Sequence, residues 1–80
     1  MHELSIAQSI IDIVERTARE HGLGVVRGVV LEIGRLSGVD AESLRFAMEV
    51  AVLGSVLEGA EVELNETEGA EMLVRSVWGE

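Results

Sequence analysis

The chain has 80 residues, 48% of them apolar, and a mean hydropathy of +0.31, so it is expected to form one small packed domain and not a disordered segment. Fifteen acidic residues against six arginines and no lysine give a net charge of −9, which makes nucleic acid and anionic membranes poor partners. The absence of cysteine excludes disulfides, thiolate zinc sites and thiol nucleophiles.

A helical period of apolar residues predicts the first helix, from Ser5 to His21. The apolar positions recur at steps of three and four: Ile6, Ala7, Ile10, Ile13, Val14, Thr17 and Ala18. Ser5 with Gln8 three residues later fits a capping box, and Gly22 supplies a left-handed stop. We therefore expect the helix to begin at Ser5 and to end before Gly22.

A segment rich in β-branched residues, from Val25 to Leu36, predicts the first strand. Apolar residues occupy every second position along it, so one face of the strand is fully apolar. Asp40 then fits the N-cap of a second helix that Gly54 ends, since Val39 and Leu44 are spaced for a hydrophobic staple. The expected buried stripe of this helix consists of Leu44, Ala47, Met48, Ala51 and Val52.

Alternating residues 60–64 and an apolar run at residues 72–78 predict two further strands. Residues 65–71, which carry Gly69, are the only segment able to reverse the chain between them. The strand order stays open at this point; if the two strands are hairpin neighbours, their ends lie close together. The order helix, strand, helix, strand, strand predicts an α+β domain, with two helices on one face of a three-stranded sheet. Open strand edges also allow a homo-oligomer, through the sheet edge or by domain swapping.

No catalytic pattern is found: the chain has no P-loop, no HExxH motif and no supported Ser-His-Asp arrangement. We therefore expect a protein that is not an enzyme. The start carries no cationic segment, and the longest apolar stretch, at residues 50–57, is far shorter than a membrane span. These features predict a cytoplasmic protein without a membrane partner.

The two histidines have different expected roles. His21 lies in the last turn of the first predicted helix, where an imidazolium complements the helix dipole. The imidazole and peptide nitrogen of His2, together with the α-amino group of Met1, can form fused chelate rings around Ni(II) or Cu(II), and Glu3 can add a fourth donor. On this chemistry alone, a frayed terminus with an incidental histidine remains the alternative.

The segments MHELSIA at residues 1–7 and LEIGRLSGVDAESLRF at residues 31–46 resemble the HypA/HybF family of nickel metallochaperones, used in the maturation of nickel-iron hydrogenases. The segments GAEVEL at residues 59–64 and EMLVRSV at residues 71–77 continue the resemblance. The resemblance implies that Met1, His2 and Glu3 bind nickel. It also implies a maturation GTPase and the hydrogenase large subunit as partners.

The chain departs from that family in one large respect. Family members carry a zinc domain with paired CxxC motifs between the last two strands, where this chain has only residues 65–71. We interpret residues 1–80 as a single nickel-binding domain in which a short loop, residues 65–71, replaces the inserted zinc domain. Ni(II) is the expected metal, and no zinc is expected.

The expected function is delivery of Ni(II) for hydrogenase maturation. One alternative is a metal-independent adaptor that binds its partner through the first helix or through the acidic surface near Glu61 and Glu63. A second alternative is an engineered scaffold without the zinc domain, assembled by strand exchange.

Overall fold

The computed structural model describes residues 2–80, which form two helices and three strands. Helix α1 spans Glu3–Glu20 and helix α2 spans Ala41–Ala51, while the strands are β1 (Val26–Gly34), β2 (Glu61–Thr67) and β3 (Met72–Gly79). The predicted α+β architecture and element order are confirmed. Neither of the two helices combines the length and the apolar composition that crossing a bilayer requires.

One face of the sheet and both helices form the core. Val29, Leu31 and Ile33 of the central strand β1 are fully buried, as the alternation predicted. The helices contribute further buried side chains, among them Ile10 and Leu44. Burial of an aliphatic side chain of this size contributes about 1.5 to 3 kcal/mol, so the core is the main source of stability.

The sheet has the order β2-β1-β3, with β1 parallel to β2 and antiparallel to β3. The last two strands are therefore not hairpin neighbours, because they lie on opposite sides of β1. The predicted loop was too long. Residues 65–67 continue β2 by pairing with residues 32–34 of β1, and only residues 68–71 connect the two strands.

This four-residue connection, the crossing loop, passes over the carboxyl end of β1 at Gly34. The Gly34 N–H donates to the Glu71 carbonyl at 2.7 Å, and the Leu36 N–H donates to the Gly69 carbonyl at 2.9 Å. A Cβ on Gly34 would overlap the carbonyl group of Gly69 and come 2.9 Å from the amide nitrogen of Ala70. Glycine at this position is what allows so short a loop to cross the strand.

Helix α1 begins two residues earlier than predicted, at Glu3, with His2 at the N-cap position. The capping box at Ser5 is a wrong prediction, since Ser5 lies inside the helix and no side chain caps the helix start. The Ile6 N–H donates to the His2 carbonyl at 2.9 Å, which closes the first turn. Glu3 favours this earlier start, because a carboxylate in the first turn complements the helix dipole.

The predicted stop of α1 is confirmed. Gly22 has a φ of +71°, and the Leu23 N–H donates to the Ala18 carbonyl at 2.8 Å, as in a Schellman motif. Of the apolar positions in the predicted period, Ile13 is 39% exposed, whereas Ile11, which the period does not include, is buried.

The start of α2 agrees with the prediction. Asp40 is the N-cap: its Oδ1 accepts from the Glu42 N–H at 3.1 Å, and its Oδ2 accepts from the Ser43 hydroxyl at 2.9 Å. The predicted stripe is buried except for Val52, which is half-buried at the end of the helix. Gly54, with a φ of +76°, turns the chain just beyond.

Candidate metal centre

The start of α1 is the predicted nickel site, and the structure describes two of its three residues. His2 is exposed and has non-helical dihedral angles, with φ −122° and ψ 0°. Glu3 is the first helical residue and is half-buried. Met1, whose amino group is part of the predicted site, lies outside the described residues.

The first main-chain N–H groups of α1 are not used within the helix. They have no acceptor there, and no side chain of the described residues caps α1. Such an amide nitrogen can bind a metal ion once it has lost its proton. The amide nitrogen of Glu3 is one of these groups, and that of His2 precedes the helix. An exposed imidazole beside such amide nitrogens provides the nitrogen-rich set that Ni(II) and Cu(II) bind in square-planar geometry.

Side chains alone do not form a metal site in the described part of the chain. Within residues 2–80, no group of three or more histidine, cysteine, aspartate and glutamate side chains is arranged to hold an ion. An ion at the start of α1 therefore needs main-chain nitrogens as ligands, which is the type of site that the sequence predicted.

His21 lies at the opposite end of α1 from His2. It occupies the C-cap position and is exposed. Eighteen helical residues separate the two histidines, a length of about 27 Å at 1.5 Å per residue, so they cannot bind the same ion. The position of His21 fits the expected interaction with the helix dipole.

A groove that was not predicted from the sequence lies beside the start of α1. It has a volume of about 640 Å³, and its lining comes from the first turn of α1 and from α2: Glu3, Leu4, Glu42, Ser43, Phe46, Ala47 and Val50. A sequence signal for it exists, because Phe46, Val50 and Leu53 recur at i, i+4 and i+7 outside the predicted buried stripe. Glu3 thus belongs both to the predicted nickel site and to this groove.

Solved structures share this fold. The chain resembles the solution structure of the Ni metallochaperone HypA from Helicobacter pylori, with a TM-score of 0.75 at 20% identity over 95% of this chain and 72% of that one. A second structure, described as the solution structure of HypA protein, gives a TM-score of 0.66 at 23% identity over 95% of this chain and 71% of that one. At these identities the likeness concerns the fold alone.

Sequence comparison identifies the family. The chain is 48% identical over 69 residues to the hydrogenase maturation factor HypA of Chlorobaculum tepidum, covering 86% of this chain and 61% of that protein. It is 50% identical over 66 residues to HypA of Chlorobium limicola, covering 82% and 57%. The chain thus spans about three fifths of the length of these curated relatives. The family model described as hydrogenase/urease nickel incorporation, metallochaperone, matches residues 1–72, and the chain therefore belongs to the HypA family.

Proposed function

We propose that this chain binds Ni(II) at the start of α1 through Met1, His2 and Glu3 and delivers it for hydrogenase maturation. Membership of a nickel-incorporation family supports the role. The observation that carries the site is the uncapped start of α1, which leaves an exposed imidazole beside amide nitrogens without helical acceptors.

Ni(II) is the cargo of this protein, so its site must release the ion as well as bind it. His2 is exposed, and the hydrogen bond that it accepts from Ile6 in the first turn uses its carbonyl oxygen and not its ring. Few contacts are broken when such a site opens. An α-amino group binds metal only after losing its proton, and because its reference pKa is about 7.7 to 8.0, affinity should fall as the pH drops below 7.

Selectivity for nickel does not follow from the ligands. Cu(II) binds more tightly than Ni(II) to nitrogen donors of this type, in the order that holds for divalent first-row metals. We infer that metal supply and recognition by the receiving protein determine which ion is delivered.

A nickel titration followed by calorimetry tests the site. We expect one Ni(II) per chain for the unmodified protein, and loss of this binding both after acetylation of the α-amino group and in His2→Ala. His21→Ala is the matched control, because it removes an exposed histidine from the other end of the same helix and should bind nickel normally. Undiminished binding in the acetylated protein or in His2→Ala would exclude the site.

We further propose that residues 1–80 act as a single nickel-binding domain and that the crossing loop stands where the family carries its zinc domain. We propose that this domain binds no zinc, since the chain has no cysteine, and that it catalyses no reaction. Its partners would be a maturation GTPase and the hydrogenase large subunit, in the cytoplasm.

The adaptor function is the second candidate. Glu61 and Glu63 are exposed on β2, and the Asn65 amide donates to the Glu63 carboxylate at 3.1 Å. A pull-down of the purified GTPase, with and without a chelator, separates the two functions. The adaptor would be favoured if the chelator and His2→Ala both leave capture of the GTPase unchanged, and if the double variant Glu61→Gln, Glu63→Gln abolishes it.

Native mass spectrometry addresses the scaffold alternative. The crossing loop connects β2 and β3 over one strand within a single chain, so strand exchange would require this loop to open. Without strand exchange we expect the mass of one chain. A defined oligomer that persists on dilution would instead support strand exchange.

A further inference from the structure

Helix α2 carries two apolar faces, and the fold uses only one of them. Leu44, Ala47, Met48 and Ala51 are buried in the core. Phe46, the only phenylalanine of the chain, is 67% exposed, and Val50 is 50% exposed one turn further on. Phe46 and Val50 form an apolar row on the outer side of the helix, and Leu53, also 67% exposed, follows in the turn after it. Contiguous exposed apolar side chains on this scale are typical of interaction sites.

This outer row continues into α1 through the groove. Leu4 of α1 is 48% exposed and lines the groove together with Phe46 and Val50. At about 640 Å³ the groove has room for several side chains of a partner. A channel between two packed helices matches the ridge of a third helix, and apolar residues at i, i+4 and i+7 are the usual anchors of such a helix.

The charges of the groove define the partner further. Among the described residues, its lining includes the carboxylates of Glu3 and Glu42 and no cationic side chain. Both carboxylates lie in the first turns of their helices, where each helix dipole amounts to about half a positive charge. Two full negative charges outweigh two half charges, so the groove remains acidic and favours a basic partner.

A second copy of this chain is a poor occupant by the same reasoning. Each chain carries a net charge of −9, and a symmetric dimer through the groove would bring its carboxylates together. The apolar lining also requires a partner with apolar side chains, so a partner that presents only cationic groups does not fit the groove.

We propose that the groove between α1 and α2 is the docking site for an amphipathic helix of another protein, whose apolar anchors are flanked by arginine or lysine. The helix contacts Phe46 and Val50 through its anchors and faces Glu3 and Glu42 with its cations. Because Glu3 follows His2 directly, the docked partner lies next to the start of α1. The docking itself needs no metal, so it goes beyond the nickel site and does not depend on it.

The test uses a synthetic probe and the metal-free protein in the presence of a chelator. The probe is a peptide of about 18 residues, long enough to form a helix, with leucines at i, i+4 and i+7 and arginines at the flanking positions. Its matched partner has glutamate in place of each arginine. Binding to the ¹⁵N-labelled chain is followed by NMR. We expect saturable shifts centred on Leu4, Phe46 and Val50 for the basic peptide, weakened by salt, and at least tenfold weaker binding of the acidic peptide.

Variants of the chain locate the site. Phe46→Ser should weaken binding of the basic peptide at least tenfold, and it leaves the fold intact because the side chain is largely exposed. Leu36→Ser is the matched control, since Leu36 is an apolar residue, 76% exposed, in the turn after β1 and outside the groove lining. Circular dichroism confirms that both variants are folded.

Three results would overturn the proposal. The first is absence of saturable binding up to about 1 mM peptide. The second is equal binding of the basic and acidic peptides, or equal loss in Leu36→Ser and Phe46→Ser. The third is a dimer of the free chain that protects the groove. A failed nickel titration leaves all of these readouts unchanged, so the two proposals fail separately.

Discussion

The end of the sheet where the crossing loop passes β1 and the start of α1 are built in opposite ways. At Gly34 three main-chain hydrogen bonds tie the end of β1 and the residues after it to β2 and to the loop, and no space is left for a Cβ. At the start of α1 no side chain of residues 2–80 caps the helix, and His2 is exposed. Hydrogen bonds and close packing fix the path of the main chain in the first region. In the second region, main-chain amides and an imidazole are not used by the fold.

The contrast separates the residues that specify the fold from those that carry the proposed chemistry. A substitution at the crossing should change stability and leave nickel affinity per folded molecule unchanged. A substitution at the start of α1 should do the reverse. Substitutions in the two regions test this separation.

Gly34→Ala should lower the free energy of unfolding by about 3 kcal/mol or more. The new Cβ meets main-chain atoms of Gly69 and Ala70, so the loop itself must move and its hydrogen bonds to β1 lengthen. Urea denaturation measures the change. Gly24→Ala is the control, because a Cβ there meets only the Glu80 carbonyl oxygen at 3.8 Å, an ordinary contact. Equal stability of the two variants would contradict the role assigned to the crossing.

His2→Ala should weaken nickel binding roughly a hundredfold, about 2.7 kcal/mol, and change the free energy of unfolding by less than about 0.5 kcal/mol. The imidazole is exposed, and the hydrogen bond that closes the first turn uses the main-chain carbonyl, which alanine keeps. Calorimetry and urea denaturation of the same sample measure both quantities. A large loss of stability would show that the start of α1 also specifies the fold.

The elements of the fold were largely predictable because their signals are local. The period of α1, the alternation of β1 and the cap at Asp40 each depend on residues close in sequence, and the structure confirms them. The strand order was not predictable in this way. A short reversal containing Gly69 looks the same in sequence whether it joins neighbouring strands or crosses a third one, and the distinguishing residue, Gly34, lies more than thirty positions away.

The candidate site divides along similar lines. The site at His2 was predicted because its metal-binding groups are adjacent in the chain. The resemblance to a nickel-binding family indicated its role. The groove was missed because Leu4 and Phe46 meet only when α1 packs on α2. The outer row of α2 has the same helical spacing as the buried row, and spacing alone does not tell which row faces the core.

Asp40→Ala should lower the free energy of unfolding by about 1 kcal/mol. The carboxylate accepts from the Glu42 N–H and from the Ser43 hydroxyl, and both interactions are lost in alanine. Ser5→Ala is the matched control, because Ser5 carries the capping pattern in sequence but lies inside α1 and caps nothing. Its effect should stay within about 0.5 kcal/mol. Similar losses in both variants would mean that α1 also depends on a side-chain cap.

Arg27→Ala should have the smallest effect, a loss below about 0.5 kcal/mol. Its Nε and Nη2 donate to Glu80 Oε2 at 3.1 and 2.9 Å, but the two side chains are 58% and 71% exposed, so water screens the pair. The main chain already holds this end of the sheet, since the Glu80 N–H donates to the Val25 carbonyl at 2.9 Å. A double-mutant cycle with Glu80→Gln, measured by urea denaturation at low and high salt, isolates the pair. A coupling above about 1 kcal/mol that persists in high salt would show that surface charges, and not only the backbone crossing at Gly34, specify the arrangement of the sheet.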